Sequence, residues 1–317
     1  LSLEFSMEPG EEKLFVLRND VHSRSVNDSG KSNKEFEGSF ADELRTSRKQ
    51  EYEFELSEEN IAVLDLVEIS DDSGVIVRKN EFLRADRSLR TKMGISLRGG
   101  EMLQPWYEET YGKDDTKPGK KISAEYSFYV DAIPERMTLV AERDSAPGAI
   151  RINGRVIKEL TEREQEKEGV FSDPAYLEYE MCTADLTRGE NKLVLDTTYG
   201  RSSGIEAVYL KGSFGVFLEE GKEIHIGMMP ERLKAGNIVP QGLPFYSGRI
   251  IYQMQNVPKG RMKVSLEELG ASIVILHGKN DVKIAFHPYE GIVDDLEAIE
   301  LVFNRRNSFG PLHLPVS

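Results

Sequence analysis

The sequence is poor in three residue types that usually signal chemistry: it has one Cys, one Trp and five His in 317 residues. A single cysteine excludes an internal disulfide framework and a thiolate metal cluster. It leaves the compartment open, because many exported proteins carry no disulfide. No uninterrupted apolar run of about 18 residues occurs, so no segment reads as a membrane-spanning helix. Basic residues are outnumbered, 41 Lys and Arg against 55 Asp and Glu, for a formal net charge of -14. A nonspecific nucleic-acid binder needs a positive face for phosphates, so that class is excluded. At 39 % hydrophobic residues the chain is too apolar for global disorder. It is long enough for two or three domains.

What is present is period two. Leu1, Leu3, Phe5 and Met7 alternate with Ser2, Glu4, Ser6 and Glu8, which reads as a strand and not as a signal peptide. Starting on Leu1, the chain is expected to be a fragment of something larger. Residues 13–17 read as the neighbouring strand, after a turn at Pro9 and Gly10. Residues 19–50 are polar and read as a loop or linker, with a short helix expected near residues 40–44. Tyr52, Phe54 and Leu56 face away from Glu51, Glu53 and Glu55. A second apolar run covers residues 61–69, and Asp71, Asp72, Ser73 and Gly74 turn the chain. Residues 81–93 have helical spacing, with Phe82, Leu83, Leu89 and Met93 on one side and Gly94 as the stop. From Ile122, strands are expected at 122–130, 137–141, 149–152 and 191–197, and Asn153-Gly154 is a strong hairpin signal. Residues 158–169 are too charged for a core element.

The tail repeats this order. Residues 248–255 correspond to 123–130, 262–266 to 137–141, 273–276 to 149–152 and 299–303 to 193–195. His277-Gly278 stands where the earlier copy has Asn153-Gly154, and Asp295-Leu296 where it has Asp185-Leu186. We read two diverged copies of one all-strand module. The expected fold class is all-β, tandem antiparallel jelly-roll sandwiches with a short helix and long loops. The expected domains are 1–48, a partial strand pair and polar linker left from a preceding domain; 49–223, a first sandwich; and 224–317, a second.

Candidate binding residues fall in three places. Asn304, Arg305, Arg306 and Asn307 precede Phe309, Gly310, Pro311 and His313. Guanidinium and amide groups there would bond to hydroxyls directionally, beside a ring for stacking; a solvated strand end is the plainer reading. Phe245 and Tyr246, flanked by Pro244 and Gly248, would form a stacking platform or sit in the core. Trp106, Tyr107 and Tyr111 form an aromatic loop beside Glu108, Glu109, Asp114 and Asp115. With 55 acids, the mere presence of carboxylates has no diagnostic value for a hydrolase pair. His225, His277, His287 and His313 lack the close spacing of a zinc site, so no metal residues are assigned. No cofactor is expected, although Asp71-Asp72 and Asp294-Asp295 leave structural Ca²⁺ open. Cys182 reads as buried and inert.

The Tyr107 to Tyr111 segment, the Asn153-Gly154 turn, Gly189-Glu190-Asn191 and Gly212-Ser213-Phe214-Gly215-Val216 together resemble the galactose-binding-like β-sandwiches attached to large glycoside hydrolases. The strings QGLPFYSG (residues 241–248) and NRRNSFGPLH (residues 304–313) are sharper, and resemble the C-terminal, non-barrel part of α-L-rhamnosidase-like and family-2-like glycoside hydrolases. The resemblance spans about residues 50–317 and is best after 120. It implies galactose-binding-like sandwiches from a multidomain parent whose catalytic domain lies upstream and is absent here. No strand-helix series of the (β/α)₈ kind occurs, nor room for its roughly 250 residues. No catalytic residue is carried over. The implied partners are a glycan or glycoside ligand and the missing catalytic domain, with no nucleic acid and no membrane; the implied setting is periplasmic or extracellular. Trp106, Tyr107, Tyr111, Tyr246, Asn304, Arg306, Asn307 and His313 are the candidate carbohydrate-binding residues. The resemblance implies a non-catalytic region of a larger glycoside hydrolase that binds carbohydrate or supports the missing domain; the competing readings are a complete glycan hydrolase using a carboxylate pair, and a structural or adhesive sandwich protein.

Overall fold

The structure is a computed structural model. It describes residues 16–17, 42–45, 51–95, 97, 119–142, 148–159, 176–201, 203–219, 223–234, 236–255, 257, 259–266, 271–287 and 289–303. The described residues are mostly antiparallel strands with one α-helix, Phe82–Met93, so the chain is all-β. They fall into two compact units. One holds the described residues of Leu1–Glu58, Pro230–Gln241 and Ser247–Arg305; the other holds those of Glu59–Met229 and Gly242–Tyr246. The strands of residues 51–56 therefore belong with the tail, although strand order along the chain groups them with the sandwich expected from residue 49. The cause is pairing: Glu51–Tyr52 pairs with Leu233–Lys234, and Phe54–Leu56 with Arg249–Gln253.

In the larger unit, Lys120–Val130 and Gly189–Tyr199 form the spine of an eight-stranded sheet, paired over eleven residues from Gly189 opposite Val130 to Tyr199 opposite Lys120. Alternation decides which side each residue takes. Ile122, Ala124, Tyr126, Phe128 and Val130 are buried, as are Leu193 and Leu195 opposite them, while the odd-numbered residues of the first strand are half-buried or exposed. Ala149–Ile152 and Arg155–Glu159 extend the sheet on one side. Leu66–Asp71 and the hairpin strands Gly215–Glu219 and Glu223–Gly227 lie on the other. A four-stranded sheet, in the order Tyr176–Met181, Met137–Glu142, Val208–Gly212, Asn60–Leu64, supplies Met137, Leu139, Val140 and Leu210 to the same apolar cluster. Two sheets, each with one apolar face, have buried those faces together.

The apolar run at 61–69 is two strands in different sheets. Asn60–Leu64 belongs to the four-stranded sheet and Leu66–Asp71 to the eight-stranded one, with buried Asp65 at the crossing. The helix matches expectation at its ends. The Glu81 carboxylate accepts from Arg84 N at 3.1 Å, and Gly94 closes the helix at φ 67° with its N–H directed to the last-turn carbonyls. Its face differs: Leu83 is 52 % exposed, and the buried positions are Ala85, Asp86, Leu89 and Arg90.

The smaller unit repeats the pairing scheme of the larger. Arg249–Gln253 pairs with Leu296–Val302 as Lys120–Val130 pairs with Gly189–Tyr199. Ile273–Gly278 joins the far side of Leu296–Val302, and Val282–Ala285 comes next to it, as Ala149–Ile152 and Arg155–Glu159 do in the larger unit. Arg261–Ser265 pairs with Glu290–Asp294 in a separate sheet, as Met137–Glu142 pairs with Tyr176–Met181. The gapped sequence repeat is thus a repeat of strand order. The sheets of this unit stack closely: a Cβ at Gly291 would meet Leu276 Cδ1 at 2.7 Å. Asp42–Arg45, where a helix is expected, is instead a strand parallel to Arg261–Ser265, and Val16–Leu17 pairs with Val282–Lys283.

Candidate functional site

The outward face of the eight-stranded sheet carries a cleft of about 420 Å³, lined by Asp71, Ser123, Gly148, Arg151, Asp196 and Thr198 among others. Its floor is set by register. Ser123 stands directly opposite Asp196, and Asp196 opposite Ala149, so their side chains share the face turned away from the core. Arg151, two residues along the next strand, reaches diagonally. Ser123 Oγ donates to Asp196 Oδ1 at 2.6 Å, and Arg151 Nη2 donates to the same oxygen at 2.6 Å. The Arg151 and Asp196 side chains remain 36 % and 33 % exposed, so the pair is held in place yet reachable. Arg151 Nε is buried without a hydrogen-bond partner.

One wall is the turn at residues 71–74. Asp71 Oδ1 accepts from Ser73 N at 2.8 Å and from Ser73 Oγ at 2.5 Å, while Lys120 Nζ lies 2.5 Å from Oδ2. Lys120, then the two Ser73 donors, hold the Asp71 carboxyl down at about 2. Asp71 is therefore an ionised acceptor, with its lone pairs committed to the turn.

The smaller unit has a cleft of about 450 Å³ lined by Arg261, Lys263, Lys283, Asp281, Glu290 and Asp294. Its charges balance in pairs: Lys263 lies 3.2 Å from Glu290 and Lys283 3.5 Å from Asp281. Elsewhere in that unit Glu300 is 5 % exposed, accepts from Arg249 Nη1 at 3.1 Å and faces His277 Nε2 at 2.9 Å.

Of the residues singled out from sequence, Trp106, Tyr107, Tyr111, Asn304, Arg306, Asn307 and His313 lie outside the described residues. Tyr246 is described and is 0 % exposed; its ring is core and offers no face to a sugar. Phe245 beside it joins the apolar cluster of the larger unit. Cys182 is exposed and not buried, because the alternation that turns Met181 inward turns its successor outward. Of the aspartates considered for Ca²⁺, Asp71 is occupied by Lys120 and Ser73, and Asp295 Oδ1 accepts from Gly260 N at 2.6 Å. Sequence reading missed Ser123, Arg151 and Asp196. Each sits at an outward position of a strand that alternation identifies, but which of them meet depends on register.

No family model and no curated protein matches the chain. Among solved structures it is similar to the β-glucuronidase of Ruminococcus gnavus, with 11 % identity and a TM-score of 0.27, over 83 % of this chain and 43 % of that one. It is similar to the exo-chitosanase of Amycolatopsis orientalis, with 11 % identity and a TM-score of 0.31, over 77 % and 29 %. It is similar to the β-D-mannosidase of Dictyoglomus thermophilum, with 14 % identity and a TM-score of 0.28, over 80 % and 31 %. The chain spans less than half the length of each. No helix among the described residues is long and apolar enough to cross a membrane.

Proposed function

We propose that this chain is a non-catalytic, carbohydrate-binding β-sandwich region of a larger glycoside hydrolase of the α-L-rhamnosidase-like or family-2-like kind, acting on periplasmic or extracellular glycans. The observation that carries the reading is the Ser123–Asp196–Arg151 cluster. A guanidinium, a carboxylate and a hydroxyl lie side by side on a rigid sheet, half-exposed, in a cleft of about 420 Å³. Sugar hydroxyls both donate and accept, so they match a surface where donors and acceptors alternate at fixed spacing. Asp196 accepts from a hydroxyl and Arg151 donates; the planar fork of Arg151 suits two adjacent oxygens.

The alternative is a complete hydrolase using two carboxyls across the same cleft. Such an enzyme needs one carboxyl kept protonated as general acid, which requires a raised pKa. Asp71, which lines this cleft with Asp196, is driven the opposite way, to about 2. Support of a neighbouring domain is the remaining reading.

The test is an immobilised-glycan screen and then calorimetric titration with each hit, alongside turnover assays on aryl α-L-rhamnosides, β-galactosides and β-glucuronides. Binding weakened at least tenfold by Asp196→Ala and by Arg151→Ala, with unchanged circular dichroism and no turnover, is the expected result. Turnover lost in Asp196→Asn would replace binding by catalysis. Silence across the screen would leave only the supporting role.

A further inference from the structure

A second cluster on the same sheet has a different chemistry. Gly215–Glu219 and Glu223–Gly227 form a hairpin in which Glu219 stands directly opposite Glu223. Two like charges facing each other across a strand pair destabilise it unless something positive lies between them. His225, two residues beyond Glu223, points to the same face by alternation. One oxygen of each glutamate and a ring nitrogen of His225 lie within 4.8 Å of one another.

The histidine is fixed from behind. Its ring stacks on Tyr129, its parallel-register partner, with centroids 4.8 Å apart and planes 8° from parallel. Nδ1 lies 3.2 Å and 3.3 Å from the two Asp131 oxygens. A proton on Nδ1 satisfies Asp131 and leaves the Nε2 lone pair directed toward the glutamates. Nε2 is buried and makes no hydrogen bond, although Glu219 Oε2 is only 3.0 Å away. Two carboxylate oxygens and an imidazole nitrogen thus converge on one spot of the hairpin face.

We infer that Glu219, Glu223 and His225 form a binding site for a divalent cation of the zinc type, with Asp131 orienting the imidazole. A carboxylate behind a histidine that presents its other nitrogen to a metal is the recurring outer-shell arrangement of such sites. Bonds of about 2.0–2.2 Å in a tetrahedron put ligand atoms roughly 3.3 Å apart, which small rotations of two exposed glutamates reach. An imidazole donor favours zinc over Ca²⁺ and Mg²⁺, which want six or more oxygens or an octahedron of oxygens and waters. The role is structural: the cation would clamp the two strands together at their Glu219–Glu223 end, relieving the repulsion between those carboxylates. This differs from the expectation of no metal residues, and does not depend on the glycan reading.

The test uses the full chain in a Cys182→Ser background, which removes the exposed thiol, stripped with chelator and titrated with ZnCl₂ by calorimetry and thermal unfolding. One equivalent is expected to bind and to raise the melting temperature, with no rise from MgCl₂ or CaCl₂. Glu219→Gln/Glu223→Gln changes only exposed positions and keeps the fold; it should weaken zinc at least tenfold while raising the melting temperature of the metal-free protein. Asp131→Asn should weaken zinc by roughly tenfold to a hundredfold, as outer-shell substitutions do. No zinc binding, or binding unchanged in the double glutamine variant, overturns the site. A double variant that lowers the metal-free melting temperature does so as well, since that result marks His225 as an imidazolium already bridging the carboxylates.

Discussion

Asn153 and Asn191 tie a hairpin turn to the connection that leads into Gly189–Tyr199: Asn153 Nδ2 donates to Asn191 Oδ1 at 2.9 Å, and Lys192 N donates to Asn153 Oδ1 at 3.0 Å. Asn191 is 0 % exposed and spends its whole amide on backbone and this partner. Its Nδ2 donates to Thr187 O at 2.7 Å and Gly189 O at 2.9 Å, while Oδ1 accepts from Thr187 N at 2.9 Å. Asn153 and Gly154 both have positive φ, 50° and 81°, as a two-residue hairpin turn requires. Asn191→Ala strands several buried donors and acceptors at once. It should destabilise the larger unit by about 2–4 kcal/mol, a few lost buried partners' worth. Urea denaturation monitored by circular dichroism measures this, and a change within experimental error would mean that the clasp adds nothing to stability.

The Asp86–Arg90 pair makes a second structural prediction. Arg90 Nε donates to Asp86 Oδ2 at 3.0 Å, with side chains 1 % and 4 % exposed. Asp86 Oδ1 also accepts from Tyr199 OH at 2.5 Å and Ile205 N at 3.0 Å, and Arg90 Nη2 donates to the carbonyls of Arg201 and Ser203. The pair pins the helix to the chain after Tyr199. Removing one partner leaves an uncompensated buried charge, so Asp86→Ala should lose about 3–5 kcal/mol. The double variant Asp86→Leu/Arg90→Met should be less damaged than Asp86→Ala, because no charge is left behind. Equal losses in the two would mean that packing, and not charge, is what Asp86 supplies.

Gly212 and Gly215 explain why their short string is legible. An added Cβ at Gly212 would meet Arg136 O at 2.6 Å and Phe214 Cε1 at 2.8 Å; at Gly215 it would meet Met228 O at 2.6 Å and Phe217 Cε2 at 2.9 Å. Backbone carbonyls cannot step aside as a side-chain tip does. Gly215→Ala should therefore destabilise by about 1–3 kcal/mol, the usual range for overpacking. Thermal unfolding of the variant checks it, and a neutral result would show that the hairpin shifts freely.

Much of the fold is legible because it depends on local pattern. The alternation in residues 122–130, the Asn153-Gly154 turn and the Gly94 helix stop each state a backbone preference within a few residues. The repeat is legible as an order of strands, and the structure turns that order into two matching pairing schemes. The run at 61–69 reads as one apolar segment because nothing in it announces that Asp65 is where the chain changes sheets. Leu83 looks like core by helical spacing; buried Asp86 and Arg90 take its place because each satisfies the other. The site residues were hidden for a different reason. Ser123, Arg151 and Asp196 come from three strands, and a one-residue change of register would separate them. The stacking role given to Tyr246 failed because an aromatic between Pro244 and Gly248 has the same sequence signature in a core as on a rim.

Asp71 provides a prediction in pH. In the unfolded chain an aspartate titrates at about 3.9; folded, Lys120 and Ser73 hold this one at about 2. The folded value is the lower, so the turn's contribution to stability is fully present above about pH 4 and is lost as the pH falls through 4 toward 2. Lys120→Ala removes the largest cause and should bring the Asp71 carboxyl back toward its ordinary value, leaving the Ser73 donors to hold it slightly low. Carbon-detected NMR titration of the side-chain carboxyl reads both states directly. An unshifted titration in the native protein would mean that Lys120 does not hold this carboxylate in solution. Even then Asp71 would stay ionised at neutral pH, short of the raised pKa that an acid across the cleft from Asp196 needs.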